Sequence, residues 1–131
     1  MINYALVGTN DLERARAFYD GLFNVLGVKR LFDLPHETVW GRPASMPTFG
    51  VITPFDGKAA SVGNGTMVAL GAPSRPVVDA VYRRAIELGA ADEGPPGVRG
   101  PDPDFFYGAY FRDLDGNKLC ICKFGRDTAE S

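Results

Sequence analysis

Cys120 and Cys122 stand one residue apart near the carboxyl end of the chain, and on an extended strand that spacing turns both thiols to one face. With Met67 turned toward them they would make a soft-metal or redox thiol site; equally, two small apolar thiols and a flexible thioether are ordinary filling for a core or an apolar pocket. A disulfide across this spacing would be strained, so free thiols are expected, as in a reducing compartment. His36, the one histidine, follows Pro35 in a turn, where an exposed imidazole has no visible partner to make it a catalytic base. Asp113 and Asp115 look like a catalytic carboxylate pair. Their setting, Asp113-Leu114-Asp115-Gly116-Asn117, is one in which such side chains bond their own backbone and shape a turn. Arg99, in the glycine-rich stretch 94–100, is placed either to close over an anionic ligand or to stand solvated. The Tyr4 phenol can donate a hydrogen bond to a ligand oxygen or simply pack as a ring. No residue is assigned a catalytic role.

These groups need elements to position them. Residues 2–9 are apolar and strand-like. A helix follows, capped by Asn10, with Glu13 completing a capping box, or by Asp11; its buried stripe is Ala15, Phe18, Tyr19, Leu22 and Leu26, and Gly27 ends it. Three short strands fit 28–32, 38–42 and 48–53, separated by turns around Pro35 and through 43–47. The pattern then restarts: a strand at 65–72, a helix capped by Ser74 with Pro76 in its first turn and Val78, Val81, Tyr82, Ala85 and Leu88 as its stripe, and a stop at Gly89. Residues 91–98 read as a weak strand or a loop, 105–112 and 118–124 as strands. Within 105–112 the aromatic residues alternate sides, and Tyr107 is assigned to the ligand side because Gly108 and Tyr110 fall on the other phase.

Composition sets the outer bounds. The 131 residues carry 14 Lys plus Arg against 16 Asp plus Glu, a net charge of −2 that argues against a nucleic-acid partner. With 45% hydrophobic residues the chain has enough apolar surface for one folded domain rather than a disordered segment. No window approaches the ~18 apolar residues of a membrane span, and the amino terminus lacks the basic-then-apolar order of a signal peptide, so a cytoplasmic protein is expected. The 16 Gly and 10 Pro point to many turns between short elements.

The two helix caps Asp11 and Ser74 lie 63 residues apart, and strand, helix and three strands occur twice: an internal repeat. We divide the single domain into a first module at 1–54, a linker at 55–64, a second module at 65–124 and a frayed tail at 125–131. A helix covers one face of each sheet; the uncovered faces are expected to curl into a half-open cup that takes a small molecule.

With NDLERARAFYDGLF after the first strand, GNGTMVAL leading into the second helix and YFRDLDGNKL before the last strand, the chain resembles the vicinal oxygen chelate superfamily of glyoxalases, bleomycin-resistance proteins and extradiol dioxygenases over nearly its whole length. The resemblance implies an α+β fold of two βαβββ modules pairing into a curved, half-open mixed sheet. In the enzymes of that superfamily it also implies a divalent metal held in the cup by His or Glu at matched strand positions, chelating two substrate oxygens.

At those positions this chain has Tyr4, Met67, Cys120 and a stretch at 48–53 with no ionisable residue, so no metal and no cofactor are expected. The expected protein is therefore a metal-free small-molecule-binding member with an apolar cup lined by Tyr4, Phe49, Met67, Tyr107, Cys120 and Cys122, with Arg99 at its rim. A homodimer is possible, since cups of the superfamily are often completed by a second chain. The alternative is a metal-dependent lyase or dioxygenase of the glyoxalase type whose ligands the sequence does not reveal. A cationic drug of the bleomycin type would prefer a more acidic groove than this composition offers.

Overall fold

Asp11 is the residue that starts the first helix. Its carboxylate accepts the Arg14 backbone N–H at 3.1 Å, and α1 runs Leu12–Val25. Asn10, the other candidate cap, is used elsewhere: its side chain accepts from the Ala60 N–H at 2.6 Å and donates to the Ala60 carbonyl at 3.3 Å, which pins the linker against the helix start. In the second module Ser74 Oγ accepts the Val77 N–H at 3.4 Å and α2 runs Arg75–Glu87. Gly27 and Gly89, at φ 70° and 103°, provide the left-handed residues beyond the two helix ends.

The computed structural model describes residues 1–127. Its strands are β1 Tyr4–Gly8, β2 Lys29–Leu34, β3 Glu37–Gly41, β4 Thr48–Ile52, β5 Val68–Gly71, β6 Ala91–Val98, β7 Phe106–Arg112 and β8 Lys118–Phe124. They form two four-stranded mixed sheets of the same topology, β1-β4-β3-β2 and β5-β8-β7-β6. In each, the first and last strands of the module pair in parallel and the remaining neighbours are antiparallel. The repeat read from the helix caps is thus a repeat of the whole module, and the α+β, two-module βαβββ architecture is the observed one. The segment 91–98 is a strand, irregular at Gly94 and Gly97. No regular element lies between β4 and β5.

The modules join through their helices. Phe18, Leu22 and Val51 from the first module and Val78, Val81, Phe111, Leu119 and Ile121 from the second belong to one buried cluster, and α1 packs on α2. No strand ladder runs from one sheet to the other among the described residues. Each sheet therefore turns its uncovered face away from the helix pair, and the two uncovered faces do not close a shared hollow within one chain.

A turn completes the clasp. Asp113 accepts backbone N–H groups of Asp115 and Asn117, both at 2.9 Å, as expected for a turn-forming residue. It also accepts the Tyr19 hydroxyl of α1 at 2.5 Å, a buried contact between modules, and burial first and Asp113 second push the Tyr19 phenol well above its usual range. Asn117 donates to the Gly8 carbonyl at 2.9 Å and Asp115 accepts from the Asn10 N–H at 2.9 Å. The start of the expected frayed tail is tied down: Gly125 N–H donates to the Phe105 carbonyl, and Asp127 accepts the Arg75 N–H at 2.9 Å, meeting an orphan donor of the first turn of α2. Residues 128–131 lie outside the described part.

Candidate functional site

Strand alternation sorts the expected cup residues onto different surfaces. In the second sheet Ala109, Phe111, Leu119 and Ile121 are fully buried against the helices, so the opposite phase is uncovered. That phase carries Lys118, Cys120, Cys122 and Phe124 of β8 and faces them with Arg112, Tyr110, Gly108 and Phe106 of β7 in register. Cys120 and Cys122 do share one face, with Ala69 and Gly71 of β5 on their other side. Tyr107 does not join them. It has the phase of Ala109 and Phe111, and its hydroxyl donates to Asp79 of α2 at 2.6 Å. Tyr110, which the sequence reading set aside, takes its place beside the thiols. Counting from the core residue Phe111 outward, rather than from the small residue Gly108, would have found it.

In the first sheet Tyr4 and Leu6 lie on the uncovered face opposite Thr48 and Gly50, and Tyr4 is 59% exposed. Phe49 lies on the other face, among Tyr19, Phe23 and Trp40 at ring separations of 5.0–6.0 Å. With Met67 it lines a cavity of about 740 Å³ between the end of α1, the first sheet and β5, whose other walls include Leu26, Trp40 and Leu70. Met67, just before β5, stands at 43% exposure. Both β1 and β5 are edge strands, and Ile2, Leu6 and Met67 leave apolar surface exposed along them. His36 sits in the turn between β2 and β3, away from these surfaces, with its carbonyl accepting the Thr53 N–H.

The two thiols are buried, at 1% and 5% exposure. Burial, with Cys122 beside it, pushes the Cys120 thiol up to about 12, and burial raises Cys122 as well. Buried thiols held protonated in this way are poor nucleophiles. They are free, as expected. Arg99, at the end of β6, bends back over its strand: its guanidinium donates to the Pro95 carbonyl at 2.6 Å and lies 5.6 Å from the Tyr110 ring centre. Lys118 Nζ approaches the same ring at 5.7 Å.

A sequence model of the glyoxalase/bleomycin resistance protein/dioxygenase superfamily matches residues 1–121. The chain belongs to this superfamily. A solved glyoxalase/bleomycin resistance protein from Albidiferax ferrireducens T118 is 37% identical, with a TM-score of 0.84 over 94% of this chain and 98% of that one. More distant structures share the fold: a putative glyoxalase from Bacillus halodurans at 19% identity and TM-score 0.74, covering 94% of this chain and 95% of that one, and a lactoylglutathione lyase from Agrobacterium tumefaciens at 21% and 0.67, covering 94% and 92%. No curated protein matches the sequence.

The superfamily's metal can now be weighed against the donors this chain offers. The 63-residue offset maps Tyr4 to Met67 and Leu6 to Ala69; Leu6 pairs with Gly50 and Ala69 with Cys120, so Gly50 is the counterpart of Cys120. No side chain fits at residue 50. A Cβ there would stand 2.7 Å from Leu6 Cδ2 and 3.0 Å from both the Thr38 carbonyl and Val39 Cγ2. A phenol, a thioether, a soft thiol and a glycine do not make a donor set for a hard divalent ion. Among the described residues no group of three His, Cys, Asp or Glu side chains gathers elsewhere. No described helix is long and apolar enough to cross a membrane.

Proposed function

We propose that this superfamily member binds a small organic molecule without a divalent metal, in a cup whose two walls come from two copies of the chain. One wall is the uncovered face of the second sheet, with Tyr110 and Phe106 over a floor of Cys120 and Cys122 and with Arg99 and Met67 at its margins. The other is the uncovered face of the first sheet, presented by Tyr4 and Leu6. Phe49 and Tyr107 serve the fold on the helix side instead.

The observation that carries this reading is the donor set at the four matched positions: Tyr4, Gly50, Met67 and Cys120 supply hydrogen bonding and apolar contact but no hard ligand. The homodimer is favoured by the direction of the uncovered faces, which point away from the helix pair, and by exposed apolar residues along the unpaired edges of β1 and β5. Buried free thiols suit a cytoplasmic setting.

The test is turnover of a glutathione hemithioacetal and of a catechol with added Zn, Ni, Mn or Fe, alongside light scattering for mass. No chelator-sensitive rate and a mass of two chains are expected. A rate that appears with metal and disappears with chelator would replace this reading with a glyoxalase-type lyase or dioxygenase.

A further inference from the structure

The uncovered face of the second sheet is graded along β8. Lys118 stands at one end, Cys120 and Cys122 in the middle and Phe124 at the other, a run of about 20 Å at the usual rise per strand residue. At the apolar end Phe106 and Phe124 meet edge to face at 4.9 Å, and Phe124 is 59% exposed. In the middle, where Tyr110 pairs with Cys120, the Tyr110 ring is approached by Lys118 from its end of β8 and by the guanidinium of Arg99, which reaches back from beside Phe106.

Neither cation has a carboxylate within salt-bridge distance among the described residues, although both are only partly exposed. Arg112 of the same face differs: Glu93 neutralises it at 2.6 Å. The two cations stand 5.6 and 5.7 Å from the Tyr110 ring centre, each partly removed from water, and positive charge left uncompensated in such a setting favours an anion beside it.

Arg99 is also seated rather than loose. Gly94 and Gly97 leave the space it occupies: a Cβ at residue 97 would stand 2.8 Å from its Nη1 and one at residue 94 would stand 3.3 Å from its Nη2. The guanidinium makes its hydrogen bonds to the carbonyls of Pro95 and Val98, neutral acceptors that leave its charge uncompensated.

We infer that this face is a seat for a small carboxylate with an apolar body, its anion held by Arg99 and Lys118 beside Tyr110 and its body lying toward Phe106 and Phe124. The inference rests on the small-molecule reading above and adds the chemical class of the guest. Tyr110 acts as a positioning residue that holds the two cations, and the buried thiols keep the floor smooth and uncharged.

The experiment titrates the full-length protein with 1-naphthoate and with neutral 1-naphthamide, following backbone amide shifts by NMR with and without chelator. Naphthoate is expected to shift amides of β7 and β8 around Tyr110 and Cys120 and to bind about tenfold or more tightly than naphthamide. Arg99→Ala and Lys118→Ala should each remove most of that preference at unchanged melting temperature.

Gly97→Ala keeps the charge but displaces the guanidinium, and should weaken naphthoate while sparing naphthamide. Equal affinity for the two compounds, or naphthoate binding indifferent to Arg99→Ala, would overturn the anion seat while leaving metal-free binding intact. Shifts that require a divalent metal and vanish with chelator would instead overturn the reading on which it rests. Naphthoate that shifts no amide of β7 or β8 would also overturn the seat.

Discussion

The two modules share strand topology and a capped helix after the first strand, yet their aromatic and polar residues gather on different faces. In the first, the distinctive residues are inside: Tyr19, Phe23, Trp40 and Phe49 form an aromatic group between helix and sheet, while the uncovered face is the plain surface of Tyr4, Leu6, Thr48 and Gly50. In the second, the core is the aliphatic set Val78, Val81, Leu119 and Ile121 with Phe111, and the polar and sulfur-bearing residues Arg99, Tyr110, Lys118, Cys120 and Cys122 stand on or under the uncovered face. A repeated fold needs only the apolar pattern of its helix-side faces to persist, so the uncovered faces are free to differ; under the proposal above one is mainly a wall and the other a recognition surface.

The largest expected effect tests the first module's interior. Trp40→Ala removes the centre of the aromatic group and the Nε1 hydrogen bond to Asp20 at 2.9 Å, and should cost about 3–5 kcal/mol by urea denaturation. Phe111→Ala in the second module, with no hydrogen bond to lose, should fall at the lower end of that range. Next comes the clasp. Asp113→Ala deprives Tyr19 of its buried acceptor and leaves the turn's N–H groups unpaired, for a loss of about 2–4 kcal/mol.

Because the core is shared, Trp40 fluorescence and the labelling of Cys120 and Cys122 should report one unfolding midpoint in the unaltered protein. Two separated midpoints would show the modules to be independent.

A smaller effect is the alkaline limit. Cys120 is raised from an ordinary 9.0 to about 12 in the folded protein, so between those values the unfolded chain loses a proton that the native state keeps. Stability from this group is complete below about pH 9 and declines as the pH rises toward 12. Cys120→Ala should shallow that decline in urea titrations at successive pH values, and native protein should resist Ellman's reagent at pH 8 until it is unfolded.

Much of the architecture was legible because it rests on short-range signals. Gly27, Gly89, the caps and the two apolar stripes are local, and the 63-residue offset follows from them. The choice between Asn10 and Asp11 was not local: Ala60, fifty residues away, claims the Asn10 side chain. Tyr107 shows the same limit. Alternation places Tyr107 with Phe111 and Ala109, but that Phe111 is the residue turned to the core is set by packing against α2, the helix that contributes Asp79.

The thiol pair and Arg99 were visible as residues, but their grouping around Tyr110 was not, since it depends on cross-strand register and on the space left by Gly94 and Gly97. Nor did the sequence show that the modules meet through their helices, because helix and sheet faces of similar apolar character can pair in more than one way.

The central claim is that recognition on these uncovered faces proceeds without a hard cation. Its most direct test is elemental analysis of the purified, full-length protein after dialysis against buffer containing Zn, Ni, Mn and Fe at micromolar levels. The donor set of Tyr4, Gly50, Met67 and Cys120 predicts well under one tenth of an equivalent of any of them per chain. One equivalent retained per chain, and lost when Cys120 is replaced by alanine, would contradict it.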